Sequence, residues 1–188
     1  MGSNTDNKII SKQDSYLQKL FSSQNVQRVS LRKKEIYLLP IGQDNYVWLI
    51  ISGWILPVRS DSEGRIKGTQ LLGPGDIFGI SGFADNTKSA PVYPLNSVIL
   101  LRVPTIGFEN MMKKDTELSQ YVLKYVCQRY HGMLDELERA TLWSLDERIQ
   151  YFTEKIEHNN VSASETLVAW AVGAHPASVC RALKQKIV

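Results

Sequence analysis

The chain changes texture at Pro104, and that change limits its fold more than any other feature. From Val26 to Val103 it offers short apolar or alternating runs, "EIYLLP", "YVWLII", "GWILPV", "KGTQLL" and "SVILLRV", separated by turn material such as "GQDN", "SDSEG" and "LGPGD". Runs of this length and spacing are strands joined by tight turns, which predicts an antiparallel sandwich or roll. After Pro104 the period becomes helical. Between Glu109 and Ala140 there is no proline, and Leu118, Tyr121, Val122, Tyr125, Val126, Met133, Leu134 and Leu137 recur at steps of three and four. This predicts one long helix, with Gly132 its weak point. A small roll cannot cover so long a helix on every side. Its remaining apolar stripe is expected to meet a second copy of the chain, the alternative being a helix packed on both sides by its own domains.

The rest of the chain reads as small helices. "SLDE", Ser144 to Glu147, is a capping-box pattern that opens a helix through Ile149, Phe152 and Ile156, ended by His158-Asn159-Asn160. Ser162 and Ser164 offer caps for "ETLVAWAV", which Gly173 stops. His175-Pro176 then places proline at a first helical position before "ASVCRALKQK". At the other end, residues 14 to 25 set Tyr16, Leu17, Leu20 and Phe21 at the spacing of a short amphipathic helix. The fold class is therefore α+β: an antiparallel β-roll or jelly roll over residues 1–108, a long dimerisation helix over 109–140, and a small helical domain over 141–188.

Composition excludes several classes. The longest apolar run, Tyr46 to Pro57, is interrupted by Ser52 and Gly53 and falls short of the roughly 20 residues that span a bilayer. The first residues are polar and carry no apolar secretion segment, so no membrane partner and a cytoplasmic location are expected. Cys127 and Cys180 have no Cys neighbours, against a zinc cluster or a disulfide framework. The net charge is +3, but it sits at the start: residues 1–40 hold seven Lys/Arg against three Asp/Glu, and residues 140–188 five against five.

Two short helices joined at a glycine, with Ala169 at the close approach and Val168, Val172, Val179 and Leu183 inside, meet the requirements of a helix-turn-helix. Its second helix would turn Ala177, Ser178, Arg181 and Lys184 outward. Arg can pair with a guanine edge there, and Ser or Lys can touch phosphates. With Ser164 at the start of the first helix, these are the candidate contacts to double-stranded DNA. A structural pair of helices around a glycine turn is the competing interpretation.

The order of parts resembles the Crp/Fnr family of bacterial transcription regulators. Two stretches carry the resemblance: "SGWILPVRSDSEGRIKGTQLLGPGDIFG", Ser52 to Gly79, which looks like the family's glycine turns around roll strands, and "VGAHPASVCRAL", Val172 to Leu183, which looks like its recognition-helix pattern. The resemblance implies an effector-gated homodimer that binds promoter DNA and meets RNA polymerase. It also places a phosphate cassette at "GISGFADNTKSA", where the family's cyclic-AMP binders carry a Glu for the ribose and an Arg followed by Ser or Thr for the phosphate. Here Ile80 stands at the Glu position and Lys88-Ser89 where Arg-Ser would be, while Met133 and Leu134 replace polar residues that face the purine. Isoleucine accepts no hydrogen bond, and lysine is a point charge in place of a planar fork. The expected effector is therefore a small molecule other than cyclic AMP, apolar or aromatic, near Trp54, Phe78, Gly79, Ser81, Phe83, Lys88, Ser89, Tyr121 and Tyr125. The same aromatics also fit a plain core.

Other chemistries find little footing. Two distant cysteines do not make an iron–sulfur sensor, and His131 is the only histidine in the long helix that a haem would need. His131, His158 and His175 all lie outside the predicted roll, so a cupin-type metal site cannot assemble there, and no nucleophile elbow, P-loop or HExxH pattern occurs. No enzyme and no cofactor are expected. Relatives continue past the recognition helix into a wing, whereas this sequence ends at Ile187-Val188. That leaves a second expectation open: a regulatory module whose degenerate helix-turn-helix does not bind DNA.

Overall fold

The computed structural model describes residues 26–185 apart from 34, 43 and 84–88. The helix expected over residues 14 to 25 lies outside them, as does Lys88. Among these residues, eight strands come first: β1 (Gln27–Leu31), β2 (Tyr37–Pro40), β3 (Tyr46–Ser52), β4 (Ile55–Ser60), β5 (Ile66–Gly68), β6 (Ile77–Phe78), β7 (Ser89–Pro94) and β8 (Val98–Pro104). They form two four-stranded antiparallel sheets, β1-β8-β3-β6 and β2-β7-β4-β5. A 3₁₀ turn (Ile80–Phe83) follows β6. Five helices follow the roll: α1 (Thr105–Lys114), α2 (Thr116–Leu142), α3 (Leu145–His158), α4 (Glu165–Val172) and α5 (Pro176–Gln185).

The unbroken apolar run in β3 has a direct cause. Trp48 and Ile50 point between the two sheets, with Leu39, Ile55, Val92 and Leu100, while Val47 and Leu49 point the other way, onto Phe108 and Leu118 of α1 and α2. Both faces of the strand are buried, so the usual polar alternation is absent. The second sheet is covered likewise. Leu56 and Val58 of β4 turn outward and share a cluster with Ile149, Phe152, Leu167, Val168 and Val179 from α3, α4 and α5. The small helices therefore pack on the roll instead of hanging from the long helix.

Strand β7 escaped the sequence reading because "SAPVYP" carries two prolines. Its register shows how they are accommodated. Pro91 stands opposite Leu38 of β2 and Pro94 opposite Ile55 of β4; the β4 pairing covers Val92 to Pro94, so each proline is paired on one side only.

The single helix expected over Glu109 to Ala140 is two. Asp115 takes an extended conformation (φ −125°, ψ 102°), and its carboxylate accepts a hydrogen bond from Leu118 N at 3.0 Å, capping α2. Gly132 does not interrupt α2; the Gln70 side chain packs over it. The capping box at Ser144 is complete, with Ser144 Oγ accepting from Glu147 N and the Glu147 carboxylate accepting from Ser144 N at 2.8 Å.

Candidate functional site

The helix-turn-helix forms as the sequence suggests. Ser164 Oγ accepts from Leu167 N at 3.2 Å and so caps α4. Gly173 closes that helix in the left-handed region, at φ 66°, where a Cβ would be strained. Ala169, fully buried, lets the helices approach, and Val179 and Ala182 of α5 pack into the same core. The sequence reading missed one cap. His175 Nδ1 accepts from Ala177 N at 3.2 Å, opening α5 with Pro176 at its first turn. A histidine is an uncommon cap, so only the proline signalled this end. Of the outward residues, Ala177, Arg181 and Lys184 are exposed and Ser178 is half-buried. Arg181 lies back along its own helix, with Nε donating to the Ala177 carbonyl at 3.3 Å. Ser164 is exposed at the start of α4.

The residues expected around an effector in the roll lie in three different clusters. Trp54 packs with the α3–α5 core, Phe78 stacks on Trp48 between the sheets with ring centroids 5.9 Å apart, and Tyr121 and Tyr125 stack on each other against the first sheet at 6.5 Å. Gly79 is left-handed (φ 89°) and backs onto the Tyr46 carbonyl, Ile80 is half-buried beside α2, and Ser81 and Ser89 are exposed. The backbone of Phe83 ends the 3₁₀ turn. Met133 and Leu134 are exposed on α2.

Tyr125 instead holds α2 to the edge of the first sheet. Its hydroxyl donates to the Ile77 carbonyl at 2.8 Å, accepts from Ile77 N at 3.1 Å, and lies 3.2 Å from Asp76 Oδ1. Burial and the neighbouring Asp76 push the phenol far above its ordinary value, so it stays protonated. Asp76 in turn accepts from Gly73 N at 2.7 Å and faces Arg129 at 3.8 Å. Desolvation raises its carboxyl above the usual range, although the Gly73 bond and the Arg129 charge oppose this. Asp76 and Arg129 were not singled out in the sequence. They are far apart along the chain, and "GPGD" reads as turn chemistry.

A cleft of about 340 Å³ opens elsewhere, between β5 with the loop after it, the last turns of α2, and α3–α4. Its walls include Met133, Leu137 and Phe152, with Arg59, Lys67, Arg139, Arg148 and Lys155 around them. Among the described residues, no cluster of His, Cys, Asp or Glu is placed to hold a metal ion, and no helix is long and apolar enough to cross a membrane. Cys127 is exposed on α2.

The cyclic nucleotide-binding domain family matches residues 28–115. Among curated proteins, none matches the sequence. Solved structures do. The c-di-GMP-responsive global regulator CLP of Xanthomonas campestris superposes with a TM-score of 0.75 at 12% identity, over 92% of this chain and 91% of that one. FixK2 of Bradyrhizobium japonicum gives 0.70 at 18% identity, over 86% and 84%. A CRP/FNR-family transcriptional regulator of Thermus thermophilus gives 0.71 at 17% identity, over 86% of each chain. Residues 28–115 are thus similar to the cyclic nucleotide-binding domain family, and the chain as a whole has the fold of solved Crp/Fnr transcriptional regulators.

Proposed function

We propose that the protein is a cytoplasmic, dimeric transcription regulator that reads double-stranded DNA with α5 and responds to a small-molecule effector. The observation that carries this reading is the face of α5. Ala177, Arg181 and Lys184 stand exposed on a helix whose opposite side, Val179 and Ala182, is locked into a buried core behind a left-handed glycine turn. That is the presentation a major groove accepts. To reach a guanine, Arg181 must leave its own helix backbone, and a bidentate pair there is worth about 1–3 kcal/mol of discrimination.

The dimer reading rests on a second stripe of α2. Leu118, Val122 and Tyr125 are buried on the roll, whereas Leu123, Val126, Tyr130, Met133 and Leu137, spaced three and four apart, are 43–65% exposed. At about 100° per residue the two stripes lie roughly a quarter-turn apart, so one helix serves the roll and a second copy together. Two copies joined along this seam present two α5 helices to half-sites about 34 Å apart. Contact with RNA polymerase would follow from DNA binding and decide between activation and repression.

The test is fluorescence anisotropy of the full chain with DNA from its own upstream region and with scrambled DNA, at two salt concentrations. A preference for the upstream DNA that Arg181→Ala abolishes is the expected result. Equal binding to both DNAs, or none, refutes the reading and leaves a regulatory module that acts without DNA.

A further inference from the structure

We propose that the cleft between the roll, the end of α2 and the helix-turn-helix binds a small organic anion: a compact apolar or aromatic body carrying one carboxylate or phosphate. As an effector site it rests on the regulator reading above; as a binding site it does not.

The argument starts from charge. Among the described residues, Arg59, Lys67, Arg139, Arg148 and Lys155 line the cleft with Glu136 as the one carboxylate, so this place gathers a larger positive surplus than the whole chain's +3. Glu136 is already engaged with Arg139 at 3.2 Å. The cations are also held in place. Arg148 Nη1 donates to the Val172 carbonyl at 2.6 Å, and Arg139 lies over the Tyr151 ring with its guanidinium carbon 4.3 Å from the centroid. Lys155 Nζ sits 5.7 Å from the same ring. The Nε atoms of Arg139 and Arg148 are buried without a hydrogen-bond partner. Buried cationic groups that outnumber their counter-charges lower stability unless something supplies the missing anion. Burial also depresses the Lys155 ammonium below its ordinary value, the mark of a charge poorly compensated where it stands.

The shape selects a small ligand over a nucleic-acid backbone. The Arg139 side chain is 15% exposed, too deep to meet a duplex phosphate. Between the cations the lining is apolar, with Leu71, Phe152, Ala171 and Val172 contributing side chains away from the α2 seam. A volume of about 340 Å³ lies within the range of small-molecule sites, at the lower end. Apolar walls with a few fixed charges orient a ligand by its anionic group and hold it by its body.

The first experiment is calorimetric titration of the full chain with 2-naphthoate, with 1-naphthyl phosphate and with neutral 2-naphthamide. At least one anion is expected to bind, and the amide at least about tenfold more weakly. The two anion arms tell carboxylate from phosphate. Lys155→Met and Arg59→Gln should each weaken the anion at least about fivefold and leave the amide unchanged, whereas Lys113→Gln on α1 should change neither. Lys155→Met removes a half-buried charge and is expected to unfold no earlier than the parent, which separates lost binding from lost folding. Arg59 is exposed on β4 and serves as the second variant. No heat from either anion at millimolar concentration overturns the proposal, as does equal affinity for anion and amide, or indifference to both cleft variants. DNA anisotropy on the same samples keeps the two readings apart: anion binding without DNA preference refutes the regulator, and DNA preference without anion binding refutes the cleft.

Discussion

Replacing Tyr125 by phenylalanine keeps the ring and removes one oxygen, which makes it a clean probe of how the long helix is fixed to the roll. That oxygen serves both outward-facing backbone groups of Ile77, the N–H at 3.1 Å and the carbonyl at 2.8 Å, on strand β6 at the edge of its sheet. Phenylalanine leaves a buried N–H without its partner, which costs about 1–3 kcal/mol, and forfeits the carbonyl bond, a further ~1 kcal/mol. A loss of about 2–4 kcal/mol is therefore expected, equivalent to roughly 4–16 °C in melting temperature for a chain of this size. Urea unfolding followed by circular dichroism gives the free energy directly, and a double-mutant cycle with Asp76→Asn apportions it. If Ile77 is the principal partner, Tyr125→Phe keeps most of its cost in the Asp76→Asn background. A loss below about 0.5 kcal/mol would refute the reasoning, since the strand edge would then be satisfied without the hydroxyl.

Two further outcomes follow from the same geometry. Burial raises the Asp76 carboxyl, so the folded chain holds that proton more tightly than the unfolded one; its contribution is full below the unfolded value of about 4 and is lost as pH rises through the folded value. Asp76→Asn should flatten that decline in urea midpoints measured from about pH 4 to 7, and an unchanged slope assigns the decline to another group. Tyr130→Glu places a charge in the middle of the exposed α2 stripe, where Tyr130 is 60% exposed in the single chain. Light scattering after size exclusion should show the dimer replaced by a folded monomer, and a mass unaffected by the substitution refutes the seam.

Local signals carried much of the fold. The apolar run that becomes β3, the capping box at Ser144, the helix stop at Gly173 and the inward–outward division of α5 each show within a few residues, and each could be read directly. What escaped depends on partners far along the chain. Strand β7 is disguised by prolines that only its one-sided register makes tolerable. The break at Asp115 looks like any polar helical position until its carboxylate is seen on Leu118 N. The Tyr125–Asp76 pairing joins residues 49 apart, and the cationic cleft exists only because α3 and α4 dock beside β5. Helical spacing put Tyr125 among aromatic candidates for a ligand, but could not show that its hydroxyl was already engaged by a strand edge.

The docking of the small helices also limits how this molecule can switch. Leu56, Val58, Leu71 and Leu95 of the roll are buried together with Ile149, Phe152, Leu167 and Val179, each at most 7% exposed. Swinging the helix-turn-helix away would uncover the four roll side chains as well as their partners. At about 1.5–3 kcal/mol for each fully exposed side chain, the roll residues alone account for roughly 6–12 kcal/mol. A ligand that drives a two-state equilibrium from 1:99 to 99:1 supplies about 5.5 kcal/mol. Full undocking therefore lies beyond what an ordinary effector can drive, whereas turning two intact roll-and-reader blocks about the α2 seam leaves this core untouched. In the proposed dimer, a ligand in the cationic cleft would touch the roll, α2 and α3–α4 at once, and so would bear on the angle of the block to the seam. On the proposed reading, the spacing of the two α5 helices would change with that angle while α5 stays docked on the roll.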